Sequence, residues 1–155
     1  MDAADTMRTG DDALRGAVAT CQTDGRVLDG LSAIFRDVDG AVRLAGSVCM
    51  GGGGCCRFAL AGHRLYVSSA ELALLQNGPP VGSAGPLVCP WQQGPACSAR
   101  ERRPLGCRTF FCRMDPRLVA ELYESAHARI RRLHEVNAVP YIYVEMTAAL
   151  EQLRR

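Results

Sequence analysis

Residues 89–112 read CPWQQGPACSARERRPLGCRTFFC, and the rest of the chain has to be organised around them. The stretch holds Cys89, Cys97, Cys107 and Cys112, with seven, nine and four residues between successive members. Prolines and glycines punctuate it and apolar periodicity is nearly absent, so the segment reads as irregular. A second block lies upstream, where Cys49, Cys55 and Cys56 flank the glycine run Gly51–Gly54. Thiolates are the natural ligands of zinc and of iron–sulfur clusters, and both normally take four. Glycine between ligands lets the backbone curl and turn N–H groups toward an anionic centre. Cys49, Cys55, Cys56, Cys89, Cys97, Cys107 and Cys112 are therefore the candidate metal ligands.

Spacing bears on which metal they would hold. Zinc ribbons and fingers use paired Cys-x2-4-Cys knuckles, and only Cys107-x4-Cys112 comes near that pattern. The same spacing occurs in iron–sulfur proteins, as does a proline after a ligand such as Cys89-Pro90. Adjacent Cys55 and Cys56 are awkward for one zinc, because consecutive side chains diverge; they suit a polynuclear centre, or one ligand with a neighbouring thiol. The pattern leans toward iron–sulfur over zinc.

Outward from this middle, regular structure returns. From Asp11 to about Leu44, Val27, Leu28, Leu31, Ile34, Phe35, Val38 and Val42 recur at three- and four-residue steps, as on one face of a helix. Asp24-Gly25 splits the pattern into two helices, and Gly16, Gly30 and Gly40 weaken it. Cys21, apart from the other cysteines, reads as a small core residue. Arg57–Leu60 and Leu65–Val67 predict two short strands around Gly62. Ser68-Ser69-Ala70-Glu71 matches a capping box, opening a short helix that Asn77-Gly78-Pro79-Pro80 stops. Residues 77–88 read as a loop. Asp115-Pro116 then starts a long helix to about Val136, with Leu118, Val119, Leu122, Ala126, Ile130 and Leu133 on one face. Tyr141–Val144 predicts an extended stretch, and Glu145–Leu153 a final short helix.

Composition limits the chemistry. The 155 residues, 48% hydrophobic and 22% charged, suit one soluble globular domain over residues 11–155 behind a flexible tail at 1–10. All eighteen basic residues are arginine. With no lysine, neither a Walker A phosphate loop nor a pyridoxal Schiff base is possible. A formal charge of +2 is too small to imply a nucleic-acid or membrane partner. The opening residues Met1 to Thr6 are acidic with no apolar run behind them, so no signal peptide is expected, and no apolar window is long enough to span a membrane. A cytoplasmic location follows as the expectation, and in that reducing compartment clustered cysteines act as metal ligands or catalytic thiols rather than disulfides.

Taken together, several motifs resemble a known family. Cys55-Cys56-Arg57-Phe58, Val67-Ser68-Ser69-Ala70-Glu71, Cys89-Pro90-Trp91 with Gly94 and Cys97, and Arg103-Pro104-Leu105-Gly106-Cys107-Arg108-Thr109-Phe110 are similar, in order and spacing, to the YkgJ-like cysteine-cluster family. That family is described as a zinc- or iron-chelating domain with a Cys-x2-Cys-x2-Cys-Cys opening motif. The likeness covers about residues 49–112, and Pro140-Tyr141-Ile142-Tyr143 also looks like some members. Aligning Cys49 with the first family cysteine puts Gly52 at the place of the second, and Phe111 stands where many members have proline. The opening block is thus one ligand short, and Cys112 is available as a substitute. Which four of the seven bind stays open.

Other candidates weigh less. Arg100, Arg102, Arg103, Arg108, Arg113 and Arg117 cluster near Trp91, Phe110 and Phe111, which is compatible with single-stranded nucleic acid. They fit better as counter-ions to a thiolate site of net negative charge. His127 and His134, two helical turns apart, are too distant along the axis (~10 Å) to chelate one ion together and read as surface or flank residues. His63 reads as a turn residue, and Glu121 and Glu124 as a solvated helix face. The features predict a small α+β, mostly helical fold, with helices at both ends around an irregular cysteine-rich metal-binding middle. The function they imply is a metal-binding cysteine-cluster protein holding an iron–sulfur cluster or zinc, with a structural or electron-transfer role. Two alternatives stand beside it: a redox or group-transfer enzyme using the metal or a free cysteine, and a nucleic-acid-binding metal module. No catalytic residue, and no redox or protein partner, is identified by the sequence.

Overall fold

A computed structural model of the chain describes residues 3–47, 49, 52–82, 88–110 and 114–154, with side chains from Gly10 onward. In chain order the elements are α1 (Ala3–Thr23), α2 (Gly25–Leu44), α3 (Phe58–Ala61), β1 (Tyr66–Ser68), α4 (Ser69–Leu75), β2 (Gln92–Gln93), β3 (Ala96–Cys97), α5 (Leu105–Thr109), α6 (Pro116–Val136), β4 (Tyr143–Glu145) and α7 (Met146–Arg154). Single 3-10 turns at Gly54–Cys56 and Arg100–Arg102 complete the set. The protein is a mostly helical α+β fold, as the sequence predicts, and the described residues form two two-stranded sheets, of which the β2–β3 pair is not foreseen by the sequence. No helix among the described residues is long and apolar enough to cross a membrane.

Local chemistry accounts for most boundaries. Asp24 breaks α1 from α2 and caps the latter, its carboxylate accepting the Arg26 N–H at 3.0 Å. Asp115 does the same for α6, accepting the Arg117 N–H at 2.9 Å with Pro116 in the first turn. Residues 3–10, read as part of a tail, are the opening turns of α1. Val27, Leu31, Ile34, Phe35, Val38 and Val42 of α2 are buried, on the face their spacing marks. Gly30, a weak helix former, lies where α2 crosses α6. A Cβ there would come within 2.5 Å of Leu133 Cδ1, so the bare backbone is what lets the two helices approach.

The centre of the core is the short helix α4, all seven of whose residues are buried against α1 and α2. Its capping box forms as the sequence predicts: the Glu71 N–H donates to Ser68 Oγ, and the Glu71 carboxylate accepts the Ser68 N–H at 2.7 Å. The other carboxylate oxygen accepts the Leu105 N–H at 2.9 Å, at the first turn of α5. One buried carboxylate therefore serves two helix starts 34 residues apart.

The C-terminal segment is stitched to the start of α4. β1 pairs antiparallel with β4, Val67 opposite Val144, and Ser69 N–H and Oγ donate to Ile142 O and Pro140 O, both at 2.8 Å. Two expectations change here. Arg57–Leu60 does not form a strand: Phe58–Ala61 is one helical turn, closed by Gly62 at φ 67°, whose N–H returns to Phe58 O. His134 is not on the surface; it is 1% exposed, its Nδ1–H donating to Pro140 O at 3.0 Å. The turn after α6 folds back over it, which helix periodicity cannot foresee.

Both groups give measurable consequences. Glu71→Ala leaves the Ser68 and Leu105 N–H groups buried without acceptors, and is expected to cost about 3 kcal/mol in urea unfolding. Burial holds His134 below the usual imidazole range, so the unfolded chain takes up a proton near pH ~6.5 that the folded chain refuses. Its contribution to stability is present above that pH and lost as pH falls below it. The urea midpoint should therefore drop between pH 7.5 and 5.5 (about one unit either side of that pKa), and drop less in His134→Gln.

Candidate metal centre

The cysteine segments have little core of their own and are held by backbone contacts to one another. The Gly54–Cys56 turn follows Gly53, which sits at φ 65° with Pro95 Cα 3.2 Å from where its Cβ would be, so only glycine fits without strain. Gln92 Nε2 donates to Gly53 O at 3.1 Å and to Gly94 O at 3.0 Å, tying the glycine run to the β2–β3 hairpin. The Cys89 N–H donates to Cys56 O at 2.8 Å, and in the hairpin Gln92 lies opposite Cys97. Cys107 is brought in by α5, whose first residue hangs on Glu71.

Cys55, Cys56, Cys89, Cys97 and Cys107 all line one cavity of about 380 Å³. Three of them are neighbours, the Cys56 thiol standing by those of Cys55 and Cys89. Interaction with Cys56 holds the Cys89 thiol below its ordinary range, and the same interaction, with burial, pushes Cys56 up. Burial raises Cys97 and Cys107, the latter further because Cys56 and Cys97 lie close to it. Cys49 is exposed outside the cavity, near enough to Cys55 to act on it electrostatically. Cys112 lies outside the described residues. Cys21 is fully buried in the core, its thiol pushed up to about 11 by burial.

The donor set is soft, as zinc and iron–sulfur centres require. The thiols share a wall without yet meeting at a point: among the described residues no three Cys, His, Asp or Glu side chains stand in a metal-holding arrangement. The arginines divide by role. Arg108 is 2% exposed, paired with Asp39, donating to the carbonyls of Glu101 and Arg103, and 4.1 Å over the Phe35 ring. It pins α5 to α2. Arg103 pairs with Asp39 at 3.7 Å, and its charge lies near enough to Cys97 and Cys107 to act on both thiols. With Arg108 buried, these arginines do not form one solvent-facing stripe.

The rest of the cavity lining includes residues that sequence reading named without a site role, His63 as a turn residue, Phe110 beside the arginines and Tyr66 and Tyr143 in extended stretches. His63 stacks on Phe110 with ring centroids 5.6 Å apart, and Tyr66, Tyr123 and Tyr143 complete this part of the lining. They come from the residues around β1 and from α5, α6 and β4, and no motif links them in sequence. Against known family patterns, characterised proteins and solved structures, the chain finds no match.

Exposure orders the thiols. In metal-free protein, alkylation with peptide mapping should modify the exposed Cys49 and Cys55 first and Cys21 last, with the difference abolished in urea. Fast labelling of Cys21 in the folded chain would contradict this packing.

Proposed function

We propose that this chain is a cysteine-cluster metal-binding protein whose thiolates hold an iron–sulfur cluster or zinc. The observation that carries the reading is the convergence of five cysteines, from three separate segments, on one cavity. Cys56, Cys89, Cys97 and Cys107 are the four proposed ligands, because they line the cavity partly buried while Cys55 and Cys49 are exposed. The resemblance of residues 49–112 to the YkgJ-like cysteine-cluster family supports the same reading. A reducing compartment, the cytoplasm, keeps such thiols available as ligands.

The chain's own residues prepare the site in three ways. The Cys89 N–H bond to Cys56 O sets the two blocks side by side. Arg103 offsets the negative charge of the thiolates. Glu71 and Arg108 hold the helix that carries Cys107. A bound zinc would brace this loop-rich middle, and an iron–sulfur cluster would in addition carry an electron.

Anaerobic purification with metal analysis and an absorption spectrum tests the reading. Expected is stoichiometric iron with absorbance at about 400 nm, or zinc with none. Serine at any of the four proposed ligands should remove the metal and open residues 49–112 to protease, while Cys21→Ser retains it. A chain that holds neither metal after anaerobic reconstitution would overturn the proposal.

A further inference from the structure

The cavity is larger than a metal ion needs. Its volume of about 380 Å³ lies within the range of pockets that hold organic ligands, roughly 300–1,000 Å³, and a single zinc ion would fill little of it. A closed structural site leaves no such space beside its ligands.

The side away from the thiols has a definite chemistry. Tyr66, Tyr123, Tyr143, Phe110, Leu65 and Val119 make it aromatic and apolar. The rings of Tyr66 and Tyr143 stand 5.8 Å apart at 30°, and these side chains remain 42% and 37% exposed, with uncovered surface available for stacking. The Tyr123 and Tyr143 hydroxyls bond to each other. That bond uses one of their two protons, so one O–H is left to donate elsewhere. Among the described residues no Asp or Glu lines the cavity, and the lining cations are Arg64 and Arg103, with His63 beside them. Arg103 is largely buried and paired with Asp39 at 3.7 Å, which leaves the exposed Arg64 to meet an acid entering from solvent.

We infer that the tyrosine side of this cavity binds a small aromatic carboxylate, its ring against Tyr66 and Tyr143 and its acid group held by Arg64 and the free tyrosine hydroxyl. The inference goes beyond the metal reading and does not require it, since the groups it uses come from the segment around β1 and from α6 and β4 and include no cysteine.

The test titrates 2-naphthoate into the purified full-length chain by calorimetry, with 2-naphthol as the uncharged comparison. The location is read from the indole N–H of Trp91, the one tryptophan of the chain, which lines the same cavity. Expected is saturable one-to-one binding of naphthoate, at least fivefold weaker for naphthol, with the Trp91 resonance shifting in step. Arg64→Gln and Tyr143→Leu, both at exposed side chains, should each weaken it fivefold or more, and Arg132→Gln, on the outer face of α6, should leave it unchanged. No saturable binding below about 5 mM, a free energy of roughly 3 kcal/mol, would overturn the inference. So would binding that ignores Arg64 and Tyr143, or that leaves Trp91 unmoved. Metal content of the same samples is measured separately, so a metal-free chain that binds naphthoate refutes the metal reading alone, and a metal-bearing chain that does not refutes the pocket alone.

Discussion

The carboxylate of Glu71 is the point on which the arrangement turns. It lies in the middle of the core at 2% exposure, where an ion without partners would be prohibitively costly. Three donors offset that cost: the Ser68 N–H and hydroxyl on one oxygen, and the Leu105 N–H on the other. Burial still raises its pKa, so the site is held by hydrogen bonds against a standing desolvation penalty. The bond to Leu105 joins the most regular part of the protein, the packing of α4 on α1 and α2, to the least regular part, the segment that carries the cysteines. Without it the first residue of α5 would lose its side-chain acceptor, and Cys107 would be positioned from the Arg108 end alone.

A second tie repeats this logic from the other end of α5. Arg108 reaches back to Asp39 on α2, while its remaining N–H groups donate to the carbonyls of Glu101 and Arg103. A buried guanidinium with that many acceptors is satisfied, so it specifies a geometry rather than adding much net stability. The five-residue helix α5 is thereby fixed at both ends to elements that have a core of their own. The loops bearing Cys55, Cys56, Cys89 and Cys97 are held more lightly, by the Gln92 side chain and the Cys89 N–H. Such loops can rearrange by the small amounts needed to draw thiols to one centre, which suits a site whose geometry a metal would complete.

The cavity that results is chemically two-sided. Soft thiols occupy one side, and rings with a hydroxyl pair occupy the other. All four tyrosines of the chain gather on this side of the molecule, Tyr141 stacking beside Tyr143 and bonding to His127 at 2.7 Å. Packing alone would bury these rings; instead Tyr66, Tyr141 and Tyr143 stay more than a third exposed. Exposed aromatic surface beside an open cavity is where recognition is usually found.

How far the sequence could be read follows from the range of each interaction. The caps of α2, α4 and α6 lie within three residues of the groups they bond, so Asp24, Ser68 with Glu71, and Asp115 announced their helices directly. The buried face of α2 was legible for the same reason, because periodicity is a local property. The clustering of Cys49, Cys55 and Cys56, and of Cys89 to Cys112, could be counted without any structure. Partners distant in the chain could not be read. Nothing near Glu71 indicates Leu105, nothing near His134 shows that Pro140 returns over it, and nothing near Cys107 points to Tyr123 or Tyr143. The isolated pattern of Arg57–Leu60 suggested a strand, but a strand needs a partner and the fold offers one only to Tyr66–Ser68. The sequence by itself therefore determined the long helices α2 and α6, the capped start of α4 and the supply of thiols, since each depends on neighbours a few residues away, but not the start of α1 or the short helices α3 and α5. Only the tertiary structure decided which thiols share a cavity and what faces them, because those contacts exist only once segments far apart in the chain have been folded together.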